Sequence, residues 1–184
     1  MAKLVAATYG DALFDLAVEG GCLDEMQEEV SVVSAALQEN PKLAELMTHP
    51  KIAKEEKIRI VEEIFGGRVS AELVGLLRLI VEKDHFGEVM SVFDYFTGRV
   101  KAYKKIGIVY VTSALPLRKE QKQAVEQRIL KTTDFAELEM HYAEDSSLLG
   151  GMVIRIGDRV ADSSVRTKLA DLTRQLSQAS LFSA

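Results

Sequence analysis

The sequence predicts an α+β chain, an N-terminal six-helix bundle over residues 1–105 followed by a small α/β domain over residues 106–184. Three observations carry this. Apolar residues recur at helical spacing from about Lys3 to Lys105, the pattern turns β-branched and aromatic at Ile106, and glycines bound a short alternating run between Leu148 and Asp162.

The helical half is punctuated in five places. Gly20-Gly21 ends a first helix, and Asn40-Pro41 breaks the second, with Asn40 as N-cap and Pro41 at the first position of the third. His49-Pro50 ends the third, Gly66-Gly67 closes a fourth running from about Ala53 to Phe65, and Ser70 caps a fifth that reaches Lys83. Asp84 to Gly87 separates off a sixth, which extends to about Lys105. Six short helices with tight breaks make a bundle.

From Ile106 the pattern changes. Ile106 to Ser113 is too short and too β-branched for a helix and stops at the turn-forming Leu115-Pro116. Arg118 to Lys131 returns to helix, with Gln121, Ala124, Val125 and Ile129 on one side. Phe135 to Ala143 alternates as a half-buried strand, Leu138, Met140 and Tyr142 against Glu137, Glu139 and His141. After a loop from Glu144 to Ser147, the paired Gly150-Gly151 opens a strand with Met152, Ile154 and Ile156 on one face and Val153 and Arg155 on the other. Gly157-Asp158 reverses it, and a last helix is expected from about Ser163 to Gln178.

Composition narrows the function classes. With 184 residues, 47% of them apolar, the chain can bury a core. Its single cysteine cannot form an intramolecular disulfide, and no apolar run approaches the roughly 18 to 20 residues that span a bilayer. The start MAKLVAATYG has neither a signal peptide's apolar core nor the arginines of a transit peptide, so a reducing, cytoplasmic setting is expected. Residues 1–50 hold two lysines against nine acids, the wrong sign for a phosphate-binding surface. A basic or amphipathic peptide suits that end better than nucleic acid.

No catalytic constellation, cofactor site or metal site can be assembled. His49, His85 and His141 fall in three different elements, and Cys22 stands beside Asp24 and Glu25, the opposite of the electropositive setting a nucleophilic cysteine uses. The pairs Glu28-Glu29, Glu55-Glu56 and Glu62-Glu63 read as solvated helix faces with Lys54, Lys57 and Arg59 nearby. The glycines do not form a nucleotide loop, because Gly150-Gly151 precedes a strand and no Lys-Ser or Lys-Thr pair follows. Arg155, Arg159, Arg166, Lys168 and Arg174 give the C-terminal stretch a basic character, read as a solvated face or as a contact for an acidic partner helix.

The first and fifth helices carry more apolar surface than one core contact uses. Val5, Tyr9, Ala12 and Leu16 form one row of the first and Leu13, Phe14 and Ala17 another, while Leu73, Leu76, Leu77 and Ile80 stripe the fifth with Val74, Leu79 and Val81 off the stripe. The pattern admits two readings. Either both helices are central in the bundle, or they flank a groove that accepts an amphipathic helix from another chain.

The stretch LLGGMVIRIGDRVADSSVRTKL, Leu148 to Leu169, resembles the C-terminal signature of the delta subunits of F-type ATP synthases, homologous to the oligomycin-sensitivity-conferring protein. Gly150, Gly151, Gly157, Asp158, Asp162, Ser164, Arg166 and Leu169 are the positions that carry the likeness. At the other end, Tyr9 to Ala17 resembles that family's first helix, with Gly10 where an alanine is usual. The resemblance spans the whole chain and implies a non-catalytic stator subunit of the bacterial enzyme, present once per complex. By that likeness the helical domain binds the N-terminal helices of the alpha subunits in a groove lined by Val5, Tyr9, Ala12, Leu13, Leu16, Leu76, Leu79 and Ile80. The C-terminal domain binds the C-terminal region of the b subunit, the beta subunit is a further contact, and the chain lies peripherally on the cytoplasmic face of the plasma membrane without touching lipid itself. An autonomous regulatory or RNA-binding adaptor is the alternative from another class.

Overall fold

The computed structural model describes the backbone of residues 2–181 and side chains over residues 3–174. The chain divides into two compact units, Met1–Lys101 and Ala102–Ala184. The division falls inside the last turn of a helix, a few residues before the change of sequence pattern at Ile106.

The first unit contains α1 (Ala2–Glu19), α2 (Leu23–Glu39), α3 (Pro41–Thr48), α4 (Lys54–Phe65), α5 (Ala71–Glu82) and most of α6 (Val89–Tyr103), with a single 3-10 turn, Phe86–Glu88, before α6. Each break has a physical cause. At the end of α1, Gly21 takes φ +65°, the Cys22 N–H reaches back to the Ala17 carbonyl (3.0 Å) and the Gly21 N–H to that of Val18 (3.1 Å). This is a Schellman closure, and it needs the left-handed residue that glycine supplies. After α4 Gly67 also takes a left-handed φ, +71°, but the closure differs, the Arg68 N–H turning back only to the Phe65 carbonyl (3.0 Å).

Two expected caps form differently. Asn40 and Ser70 do occupy N-cap positions, but neither side chain caps its own helix. The Asn40 amide instead donates to the Ala36 carbonyl (2.9 Å), closing α2, and Ser70 gives both its N–H (3.0 Å) and its hydroxyl to the Glu29 carboxylate of α2. A charge-assisted pair of bonds from a neighbouring helix outcompetes the local turn. At the far end of α5, Lys54 donates to the Glu82 carbonyl (2.8 Å) and pairs with Asp84, holding that carboxyl below its usual range.

One core fills the unit. Leu13, Val33, Leu73, Leu77, Ile80 and Phe96 are fully enclosed, each contributing roughly 1.5 to 3 kcal/mol by burial. α1 and α6 are further joined where the Tyr95 ring lies against Gly10, whose position has room for no Cβ, since one would come within 2.5 Å of the ring. The Tyr95 hydroxyl donates to Asp11 (3.2 Å), Arg99 pairs with the same carboxylate (3.0 Å), and its guanidinium lies 5.0 Å from the centre of the Phe14 ring. Desolvation and the Asp11 carboxylate both push the Tyr95 phenol up. The glycine at position 10 thus makes room for a tyrosine far away in sequence.

The second unit is a four-stranded sheet in the order β2-β1-β3-β4, built from β1 (Ile106–Ser113), β2 (Glu137–Glu144), β3 (Met152–Ile156) and β4 (Arg159–Asp162), with helices α7 (Lys119–Thr132) and α8 (Val165–Leu181). β1 and β2 are parallel, joined through α7, whereas β3 runs antiparallel to β1 and forms a hairpin with β4. Gly157 holds φ +55° at the first of the two turn positions, as a II′ turn requires. The inner face buries Val109 and Val111 against Ile129 of α7, with Val125, Met140, Tyr142 and Ile154 packed around them. Gln121 and Ala124, expected on that side of α7, are exposed. Gln121 is spent on the helix start, its carboxamide accepting the Arg118 N–H (2.9 Å).

The hairpin and α8 are locked at one point. Ser163 gives both its N–H (3.0 Å) and its hydroxyl (2.9 Å) to the Met152 carbonyl, and the Val165 N–H donates to the Gly150 carbonyl (3.0 Å). Gly151, at φ +77°, passes so close to this crossing that a Cβ would lie 2.5 Å from the Ser163 carbonyl oxygen. Asp162 accepts the Ser164 N–H (2.8 Å) and the Thr167 hydroxyl (2.7 Å), and the Ser164 hydroxyl accepts the Thr167 N–H (3.2 Å), so the helix begins two residues later than Ser163. These bonds hold the Asp162 carboxyl below its usual range. The glycine pair and the acid-serine run are therefore one device, a tight crossing that fixes where α8 starts.

Candidate partner-binding surfaces

The eight residues expected to line a groove do not behave alike. Leu13 and Ile80 are fully buried and Leu76 nearly so; these three belong to the bundle core and cannot present themselves to a partner. Val5 and Tyr9 are half-buried, and Ala12, Leu16 and Leu79 are exposed, Leu16 by 51% and Leu79 by 40%. The Val5, Tyr9, Ala12, Leu16 row thus runs along the border between core and solvent, on a helix that packs against α5. Within it the Tyr9 ring lies 6.3 Å from that of His85, just beyond α5. Sequence periodicity pointed to this pair of helices but not to which residues of each are left over.

The C-terminal cations are spread over several places rather than gathered into one face. Arg155 lies over the Tyr110 ring (4.6 Å), which on its other side stacks with His141 (4.9 Å between centres). His141 in turn meets Glu139 (3.0 Å). This row crosses three strands in register, so the exposed aromatic of the sheet is already sandwiched and is no open platform for a base. Arg159 lines a cavity of about 550 Å³ with Lys105, Asp134, Phe135 and Ile156, and Arg174 pairs with Asp171 (3.3 Å). Arg166 lies near Asp145 and Asp162 and helps hold both carboxyls low, behind the hydrogen bonds that dominate their shifts.

The other titratable groups stay apart. His49 accepts the Lys51 N–H through Nδ1 (3.2 Å), Cys22 is half-buried, and Glu62 pairs with Arg78 (3.1 Å). Among the described residues no group of three or more His, Cys, Asp or Glu side chains could hold a metal ion, and no helix is long and apolar enough to cross a membrane.

Residues 5–176 match the family model of the ATP synthase delta (OSCP) subunit. The chain belongs to that family. It is 47% identical over 176 residues to the ATP synthase subunit delta of Lachnoclostridium phytofermentans, covering 96% of this chain and 97% of that one. The subunit of Halalkalibacterium halodurans is 33% identical, with 94% of each chain covered. In fold the chain is also similar to one in the mitochondrial ATP synthase hexamer of Toxoplasma gondii, with a TM-score of 0.69 at 19% identity over 93% of this chain and 96% of that one. As a member of the family it is a structural subunit of an F-type ATP synthase, a component of the peripheral stalk rather than a catalyst. It associates with the other subunits of that complex.

Two features of the molecule escaped the sequence reading. The Asp11–Tyr95–Arg99 link depends on contacts 84 and more residues apart and left no local signal. The exposed apolar row of α8 did leave one, in the spacing of Val165, Leu169 and Leu172.

Proposed function

We propose that the two units hold the two halves of a stator. The first takes an N-terminal helix of the alpha subunit along the border row of α1 and the exposed side of α5, and so caps the catalytic head. The second grips the C-terminal region of the b subunit, and one copy serves each complex on the cytoplasmic face of the plasma membrane. The chemistry is mechanical. A rotor changes the conformation of the head only if the head is held still, so this subunit must carry counter-torque through two interfaces without dissociating. A nanomolar interface supplies about 12 kcal/mol, and two linked sites raise the effective affinity further.

The observation that supports the head contact is the exposure of Leu16 and Leu79 on helices whose neighbouring residues close the core. Leu16→Asp or Leu79→Asp should leave helix content unchanged by circular dichroism. Each should weaken binding of a synthetic alpha N-terminal helix by at least ~100-fold, on the order of 3 kcal/mol for a charge placed in an occupied apolar groove. Loss of helix content would make these core residues, and unchanged binding would put the contact elsewhere. Copurification discriminates the stator from the adaptor alternative. Alpha and b subunits recovered at one copy of this chain support the stator, and nucleic acid released by salt would support the adaptor.

A further inference from the structure

In α8, Val165, Leu169 and Leu172 are exposed by 40%, 51% and 53%. Their spacing of four and three residues is that of a coiled-coil seam, and the sequence continues it at Leu176. On a 3.6-residue helix these positions share one stripe, while Thr167, Asp171 and Arg174 fall on the opposite side. Ser164 and Thr167 tie the first turn to Asp162, and the Asp171–Arg174 pair occupies the far face. Val165, at the start of the stripe, still lies beside Gly150 of the anchor, and the seam leaves the anchor behind from Leu169 onward.

A helix of this length is marginal in water without a packed face, yet its start is fixed by the bonds from Ser163, Ser164 and Val165 described above. It is held in place, and among its described residues Val165, Leu169 and Leu172 are left exposed. The positions bordering the seam are Arg166, which also lies near Asp145 and Asp162 of its own chain, on one side and Lys168 on the other, followed by the neutral Thr173 and Gln175. A second copy of this helix would set these cations against each other or against neutral groups, whereas acidic residues at the corresponding positions of a partner would complement them.

We infer that α8 is one strand of an intermolecular coiled coil and takes an amphipathic helix whose apolar seam is bordered by glutamates or aspartates. The inference rests on the stalk-binding assignment of the second unit and names the surface and the chemistry that unit uses. The apolar seam supplies the affinity. Arg166 and Lys168 select the partner, because exposed ion pairs are weak and screened by salt.

The test uses the full chain and two synthetic helical peptides with the same leucine and isoleucine seam, one bordered by glutamates and the other by lysines. At low salt the glutamate peptide should bind at least 10-fold more tightly, with the gap closing as salt is raised. The double variant Leu169→Asp, Leu172→Asp should lose both peptides while keeping its circular dichroism spectrum, and Arg166→Ala with Lys168→Ala should remove the preference but retain binding. Equal binding of the two peptides, or undiminished binding to the double variant, overturns the inference. So does sedimentation showing a dimer of the chain that dissociates in the double variant, which would make a second copy the occupant. If the double variant still captures the b subunit, the stalk assignment stands and α8 is excluded from it. If wild type prefers the glutamate peptide but fails to bind the b subunit, the seam stands and the stalk assignment falls.

Discussion

The two units solve the problem of apolar surface in opposite ways. The helical unit gathers apolar residues from all six helices into one core, with Leu13, Val33, Leu77 and Phe96 wholly enclosed, and leaves only a few apolar side chains outside. The sheet unit buries Val109, Val111 and Ile129 as the centre of its core and leaves Tyr110, Leu115, Leu149, Val160, Leu169 and Leu172 exposed. A small sheet covered by a helix on one face has little interior to close. The first unit is therefore stable by packing, and the row proposed as its docking surface is a fringe of a finished core. The second depends on hydrogen-bonded crossings for its shape and leaves apolar surface exposed.

Gly151 is where the contrast between the units should show most. Gly151→Val puts a β-branched residue at φ +77° and a Cβ into the Ser163 carbonyl, so a loss on the order of 4 kcal/mol is expected, confined to the second unit. Amide NMR spectra should show the resonances of the helical unit unmoved. Shifts spread through α1 to α5 would show that the units are not independent in the way described.

A smaller effect with a change of sign is expected at Gly10. Alanine there gains up to ~1 kcal/mol of helix propensity but drives a Cβ against the Tyr95 ring, at a cost of about 1 to 3 kcal/mol, so Gly10→Ala should be net destabilising by ~1 kcal/mol. In a Tyr95→Leu background the same change should become stabilising. Urea denaturation of the four proteins of this cycle measures it, and additivity of the two changes would remove the proposed packing conflict.

Ser164→Ala removes the oxygen that accepts the Thr167 N–H at the start of α8 and should cost about 1 kcal/mol, again in the second unit only. Fraying of α8 seen by hydrogen exchange, with α7 unchanged, is the expected signature.

The smallest effect is the acid response. Asp162 and Asp145 titrate below their usual range because backbone and hydroxyl donors bind the ionised form. A lowered folded-state value means that the contribution is fully present above the unfolded value near pH 4 and is lost as pH falls through the lower folded value. The α8 crossing should therefore loosen below about pH 4. Asp162→Asn should lose part of that acid dependence in a pH series of thermal midpoints.

Much of this fold was legible because glycine and proline mark chain reversals by local sterics. Gly20-Gly21, Pro41, Gly66-Gly67 and Gly157 each stand where the sequence places a break. The alternation of Leu138, Met140 and Tyr142 against Glu137, Glu139 and His141 set the inner face of β2 for the same kind of reason, a two-residue period. Asn40, Ser70 and Gln121 were less legible, since a polar side chain goes to the best partner available and tertiary structure decides which that is. Of the proposed docking row, the sequence showed that α1 and α5 are apolar on more than one side. It separated the row of Leu13 from that of Leu16, and Leu76 and Ile80 from Leu79, but it could not show which of these the bundle covers, because the neighbours that bury one flank come from other helices.

Hydrogen exchange measured by mass spectrometry on the full chain is the sharpest test of this division of labour, with a synthetic alpha N-terminal helix and a peptide from the C-terminal end of the b subunit added separately. The alpha peptide should slow exchange in α1 and α5 and leave the sheet unit unchanged, whereas the b peptide should protect α8 and its crossing with β3 and leave α1 and α5 unchanged. Protection of the same elements by both ligands, or protection of α1 and α5 by the b peptide, is incompatible with two units that each hold one half of the stator.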